Sequence, residues 1–280
     1  MLHIGRANTY PGLVSAETME TGTKILSASP EGRRRIAQLS SPLMKAAVPL
    51  IEWATLPGLT LHYALRKRYI EAAVRAAMAE GVTQVVNLGA GFDTLAWRLH
   101  LAHPEVNFIE IDHPATSGVK APALRQIGTM GDNLHLLEVD FTTQTLADRL
   151  GGLSGFKADR PTMFVCEGVI TYLTRDEAGV LLQTLNDLCA VPPRLVCTCV
   201  VPAGSPDDNI GPFLGIYLKL KGEALKWRIA HEDVGPFFAE HNFDIDEIAS
   251  PTVIKPRFIE GPLKGTLHRS EYGVIARGVV

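Results

Sequence analysis

The side chains with the most chemical content fall in two neighbouring stretches. Val85-Val86-Asn87-Leu88 runs into Gly89-Ala90-Gly91-Phe92-Asp93-Thr94, and a second apolar run, Phe108-Ile109-Glu110-Ile111, ends in Asp112. A strand that enters a turn of small residues, a helix, and a second strand ending in an acid make the layout of a nucleoside site. Such a site lies at the carboxyl edge of a parallel sheet. Gly89, Ala90 and Gly91 leave backbone open where a larger side chain would hold a ligand off. Asp112 offers a carboxylate that can accept both hydroxyl protons of a ribose, or else it is a loop acid closing a strand.

The turn departs from the dinucleotide fingerprint Gly-x-Gly-x-x-Gly, because Thr94 stands at the third glycine. A diphosphate needs free amide donors at the helix N-terminus. Asp93 puts negative charge there and reads as the N-terminal cap of a helix over 94–102. A nicotinamide-dependent oxidoreductase is disfavoured on this ground. A nucleoside cofactor without phosphates is favoured, and S-adenosylmethionine, with adenosine, a sulfonium and an amino acid tail, fits.

The chain has 280 residues, 46% hydrophobic and 20% charged, with a net charge of −3. That balance is ordinary for a globular protein and gives no global reason to expect nucleic acid or an anionic membrane as partner. The longest stretch free of Asp, Glu, Lys and Arg, Trp53 to Leu65, contains Pro57 and Gly58 and is shorter than the roughly 20 residues of a membrane span. The first residues lack the basic-then-apolar order of a secretory signal, so a cytoplasmic protein is expected. Cys166, Cys189, Cys197 and Cys199 show no zinc-ligand spacing with histidines; buried reduced thiols are expected and no metal.

Strand-like and helical periods alternate along the middle of the chain. Strands are predicted at 84–88, 106–111, 134–139, 161–166, 194–201, 242–249 and 271–277, and helices at 66–79, 94–102, 142–150, 175–190 and 231–240. The expected fold is a single α/β domain built on a doubly wound, mostly parallel, seven-stranded Rossmann-like sheet, with the last strand antiparallel in a hairpin. Residues 1–65 form an N-terminal helical cover, 66–201 the cofactor-binding core, 202–230 an insertion after strand five, and 231–280 a C-terminal helix and hairpin. Within the insertion, Phe213 to Trp227 reads as an amphipathic helix: a substrate lid, a structural helix or a dimer contact. Its Lys219, Lys221, Lys226 and Arg228 form a solvated face or attract an anionic group on an apolar substrate.

Four segments, in order, resemble the leucine carboxyl methyltransferase-like family of S-adenosylmethionine-dependent methyltransferases, which includes polyketide-tailoring O-methyltransferases. They are Leu65-Arg66-Lys67-Arg68-Tyr69-Ile70-Glu71, the turn from Val86 to Thr94, Glu110-Ile111-Asp112-His113-Pro114, and Phe164-Val165-Cys166-Glu167-Gly168-Val169-Ile170-Thr171-Tyr172-Leu173. The resemblance covers roughly 60–200. It implies that Arg66 pairs with the carboxylate of the methionine moiety, for which a guanidinium fork is suited. Gly89, Ala90 and Gly91 then lie against the amino acid end, and Asp112 takes the ribose with His113 beside it, unless His113 is only a loop histidine. Asp140 accepts from the adenine amine with Phe141 against the base, or caps the helix that follows. Glu167 lies at the reactive end near the ammonium or sulfonium. Tyr172, the candidate catalytic residue, packs against the cofactor or borders the acceptor; otherwise it is a buried, hydrogen-bonded tyrosine. Asn87 stands where many methyltransferases carry an acid. An N-terminal basic residue, Lys24 or Arg6, is a further candidate.

A carboxylate acceptor, ionised at neutral pH, can attack a sulfonium methyl without a base, whereas a phenol with pKa about 10 needs one. The matched segments show no histidine or lysine committed to deprotonation. Methyl transfer to a carboxylate of a small molecule is therefore expected, with a hydroxyl acceptor or a catalytically silent cofactor-binding protein as alternatives.

Overall fold

The computed structural model describes residues 13–211, 213, 214, 224–261 and 266–279. Three short helices, α1 (Ala16–Ser27), α2 (Pro30–Ser40) and α3 (Pro42–Ala54), lead into the long α4 (Leu59–Ala79). Each of the first three starts at a serine, Ser15, Ser29 or Ser41, whose hydroxyl accepts an otherwise orphaned amide of the first turn. Proline occupies the first position of α2 and α3, where its missing N–H costs nothing.

The remaining elements are β1 (Gln84–Leu88), α5 (Leu95–Leu99), β2 (Asn107–Asp112), α6 (Pro114–Ile127), β3 (Leu134–Glu138), α7 (Leu146–Gly151), β4 (Thr162–Cys166), a 3-10 turn (Ile170–Tyr172), α8 (Arg175–Asp187), β5 (Arg194–Val200), α9 (His231–Ala239), β6 (Phe243–Ala249), α10 (Pro251–Phe258) and β7 (Glu271–Gly278). They form one seven-stranded sheet in the order β3-β2-β1-β4-β5-β7-β6. The strands β3, β2, β1, β4 and β5 are mutually parallel, and β7 runs antiparallel between β5 and β6. The central strands β1 and β4 are buried at every position, as strands covered on both faces must be. Alternate residues serve opposite cores. Val86, Leu88, Ile111 and Phe164 pack with α8 and α9. Val85, Phe108, Met163 and Val165 pack with α4 and α5. Gln84, wholly buried, is satisfied by donating to the Lys157 carbonyl and Thr162 Oγ1 at 2.7 and 2.9 Å.

The strands and the mostly parallel sheet agree with the sequence expectation to within a residue or two. Several helices do not. The predicted helix 94–102 is the five-residue α5, and 142–150 starts only at Leu146, after Asp140 has turned the chain. Helix α6 was not predicted. Nor is the link between the last two strands a tight hairpin: it contains α10, and β7 passes β6 to pair with β5 as well. The predicted helix Phe213–Trp227 falls largely on 215–223, outside the described residues; 224–230 is non-helical. Lys219 and Lys221 are outside too, whereas Lys226 and Arg228 face Glu177 and Asp208. All four cysteines are free, and burial pushes the Cys166 thiol up to about 12. No helix among the described residues is long and apolar enough to cross a membrane.

Candidate functional site

The carboxyl ends of β1, β2 and β4 and the first residue of β7 meet at one edge, because β7 starts where the parallel strands finish. Gly89 and Gly91 both have positive φ, 64° and 51°, which side chains disfavour. A Cβ on Gly89 would also stand 2.7 Å from Val169 Cγ2. The turn is fastened to the end of β2: the Ala90 amide donates to the Ile111 carbonyl at 3.1 Å, and the Gly91 amide donates to the Asp112 carboxylate. The other Asp112 oxygen accepts the His113 amide at 2.6 Å. With two lone-pair sites per oxygen, Asp112 keeps acceptor capacity towards the cleft. His113 itself is turned into α6, where Nδ1 accepts the Ala115 amide at 3.1 Å as an N-terminal cap.

A small cleft opens beside this turn, lined by Ala90, Gly91, Glu110, Asp112, Ser117 and Lys120 among others. Glu110 and Lys120, adjacent in its lining, stand 2.6 Å apart and are each only 4% exposed. Burial raises the Glu110 pKa, and the attraction of Lys120 only partly offsets it.

Asp93 stands one residue before the N-cap position of α5, which Thr94 occupies without a side-chain bond. Oδ1 accepts the amides of Thr94 and Leu95, while Oδ2 faces Lys67 Nζ at 3.2 Å and Asn87 Nδ2 at 3.4 Å. Burial alone would raise its pKa; Lys67, Lys120 and the Leu95 amide outweigh that and hold it at about 2. A depressed folded pKa stabilises above the unfolded value near ~4 and is lost as pH falls towards 2. At neutral pH the contribution is on the order of 2 kcal/mol. D93N should therefore lower the neutral-pH unfolding free energy by about that amount and flatten its slope between pH 4 and 2, as read by denaturant titration.

Arg66, on α4, is enclosed by carboxylates. Nε donates to Glu167 at 2.8 Å and Nη1 to both oxygens of Glu271 at 2.7 and 2.8 Å, with the guanidinium stacked 4.2 Å over the Tyr63 ring. Lys67 Nζ takes the other Glu167 oxygen at 2.7 Å, and His62 Nε2 meets Glu271 at 2.6 Å. Burial opposes the ionisation of Glu271, yet Arg66 and His62 hold its carboxyl far below the ordinary range. His268, ring to ring with His62 at 4.9 Å, has its pKa pushed down to about 3 by burial and by His62. Arg66 and Glu167 are thus brought together, as direct partners. The open guanidinium fork expected for a ligand carboxylate is instead shared with two protein carboxylates, leaving Nη2 as the end without a described carboxylate.

Other predicted residues are more peripheral. Asp140 accepts from the backbone and hydroxyl of Thr142 at 2.9 and 2.6 Å, and these bonds lower its pKa; it closes a turn and does not cap the next helix, which begins at Leu146 with Thr145 as its N-cap. Phe141 is 57% exposed. Tyr172 is 36% exposed on the 3-10 turn, whose Thr171 carbonyl accepts the Lys226 amide at 2.9 Å. Lys24 pairs with Glu20 on the surface of α1, and Arg6 lies outside the described residues. Sequence reasoning missed Glu271, His62, Lys67, Glu110 and Lys120. Lys67 sat inside the quoted Arg66-Lys67-Arg68 cluster, and Glu271 opens a predicted strand; neither carries a local signal of its partners.

The profile of the leucine carboxyl methyltransferase family matches residues 21–186. The chain belongs to that family. Among curated relatives, a protein of Mycobacterium marinum assigned as an S-adenosyl-L-methionine-dependent methyltransferase is 34% identical over 48% of this chain and 43% of its own length. YktD of Bacillus subtilis, similarly assigned, is 32% identical over 53% and 48%. A Mycobacteroides abscessus relative is 26% identical over 83% and 74%. The chain thus spans about half the length of the first two relatives. A Thermobifida fusca crystal structure, assigned as a methyltransferase, superposes with a TM-score of 0.64 at 16% identity, covering 92% of this chain and 94% of that one, and shares the fold.

The cofactor named for these relatives, S-adenosylmethionine, is the one the glycine turn predicts. The residues present fit it. A Cβ would intrude at Gly89, Asp112 keeps free lone pairs at the cleft, and the carboxylate of Asp93 takes the amides at the helix start that a diphosphate would need. When bound, S-adenosylmethionine supplies an electrophilic methyl carbon on a sulfonium.

Proposed function

We propose that this family member is an O-methyltransferase that esterifies a carboxylate of a small apolar molecule. The observation that carries the reading is the state of the nitrogen bases at the site. Lys67 is held by Glu167 and Asp93, His62 by Glu271, and His113 caps α6. His268 is neutral and, with a pKa near 3, a poor proton acceptor. Such a site suits an acceptor that arrives ionised, because only alignment is then required, and orientation supplies roughly 7–11 kcal/mol in favourable cases.

In this reading Asp112 accepts the ribose hydroxyls, Gly89, Ala90 and Gly91 lie against the amino acid end, and Arg66 and Glu167 face its charged groups. His113 supports Asp112 through its backbone amide, and Asp140 and Phe141 border the adenine. Tyr172, exposed beside the end of β4, orients the acceptor. Lys226 and Trp227, whose amides donate to the Thr171 carbonyl, flank that acceptor.

The test is transfer of a labelled methyl group to paired panels of carboxylic acids and phenols. The expected product releases its label as methanol on mild alkali, as an ester does. A base-stable label would assign an ether and a hydroxyl acceptor; cofactor binding with no transfer to either panel would favour the silent binding protein.

A further inference from the structure

The ion network around Arg66 does more than anchor α4 to the sheet. Among the described residues, three carboxylates (Asp93, Glu167 and Glu271) pair with two permanent cations, Arg66 and Lys67, at the edge where β1, β2, β4 and β7 converge, and a fourth, Asp112, stands at the same edge accepting backbone amides. His62 adds a charge only when protonated, so the group is net negative in either state of that imidazole. The neighbouring Glu110 and Lys120 cancel each other. Glu167 and Glu271 are 8% and 11% exposed, and Asp93 is 8% exposed, so solvent screens their fields weakly.

We propose that this uncompensated negative charge is a product-discrimination device: it favours the cationic, methylated cofactor over the demethylated product. The inference rests on the S-adenosylmethionine reading. S-adenosylmethionine and S-adenosylhomocysteine share adenosine and the amino acid tail and differ by the methyl group and one positive charge on sulfur. Whatever the network does for the shared parts cancels in the ratio of the two affinities. What survives is the field of the site at the sulfur. A unit charge about 10 Å away at an effective dielectric near 20 changes such a ratio by roughly 15-fold, and by less once salt screens it. The consequence is turnover: a spent cofactor that binds less tightly than its replacement leaves the site free.

Two substitutions move the field in opposite directions. Glu271→Gln keeps the side-chain shape and removes a negative charge; Lys67→Gln, at a half-exposed position, removes a positive one. Titration calorimetry of the full chain and both variants with S-adenosylmethionine and S-adenosylhomocysteine, without acceptor, gives the Kd ratio of cofactor to product. The ratio should rise by about 3- to 10-fold in E271Q and fall by about 2- to 5-fold in K67Q, both changes shrinking at high salt. A purely structural role would weaken both ligands together and leave the ratio fixed. A ratio constant within measurement in either variant, or shifted the same way in both, overturns the proposal. If E271Q does not fold, Glu271→Asp, which retains the charge, should keep the wild-type ratio; a rise there also overturns it. Wild-type protein that binds neither ligand would instead sink the cofactor reading itself.

Discussion

Replacing Asp112 with alanine should weaken S-adenosylhomocysteine binding by about 100-fold. Two hydroxyl donors lose a charged acceptor, each such bond contributing about 1.5–3 kcal/mol, and water recovers part of it. A net loss near ~3 kcal/mol corresponds to the two decades stated. Asp112 also accepts the Gly91 and His113 amides, so the variant loosens the turn as well as losing a ligand contact. Asp112→Asn separates the two: its carboxamide oxygen still accepts one amide, and the expected loss is nearer 10-fold. An analogue lacking a ribose hydroxyl provides the second arm, because it should bind wild type more weakly but lose much less on going to D112A. Wild-type affinity in D112A, or equal losses for both ligands, would reject the ribose assignment.

What the sequence disclosed about this site follows the distance over which its signals act. Gly89, Gly91, Asp93 and Asp112 belong to one strand-turn-helix-strand unit, and each has a role written in its neighbours: a turn that needs positive φ, a helix start that needs a cap, a strand that ends. The strands were legible because buried parallel strands are short apolar runs with little competition from other structures. Helix α6 was not, because Gly118 and Pro122 interrupt its period and one of its buried positions is Lys120. Its apolar stripe is broken where it serves the cleft. The partners of Arg66 were invisible for a topological reason. Glu167 and Glu271 stand about 100 and 200 residues further along the chain, and Glu271 reaches the site only because β7 inserts antiparallel between β5 and β6. A sequence pattern located the guanidinium, and the sheet order decided what surrounds it.

The largest stability effect should come from Lys120→Met. Removing one partner of a buried ion pair strands the other, a change that typically costs 3–5 kcal/mol. Here the cost has a ceiling, because Glu110 can protonate instead of remaining a buried anion. Holding a carboxyl with an unfolded pKa near ~4.3 neutral at pH 7 costs about 3.7 kcal/mol, at 1.36 kcal/mol per unit. The sign of the pH dependence follows. A carboxyl whose folded pKa is raised binds its proton more tightly in the native state, so stability falls as pH rises from the unfolded value towards the folded one. K120M should therefore lie about 3–4 kcal/mol below wild type at pH 7 and only about 1 kcal/mol below at pH 5, as read from urea midpoints at the two pH values. Removing both charges, as Glu110→Gln with Lys120→Met, should recover much of the loss at pH 7, since an amide is cheaper to bury than an unpaired carboxylate. A penalty that is equal at pH 5 and pH 7 would mean that Glu110 is not stranded by the substitution and that the cleft admits enough water to solvate it. The pair would then belong to the wet wall of the cofactor site and not to the core beneath it.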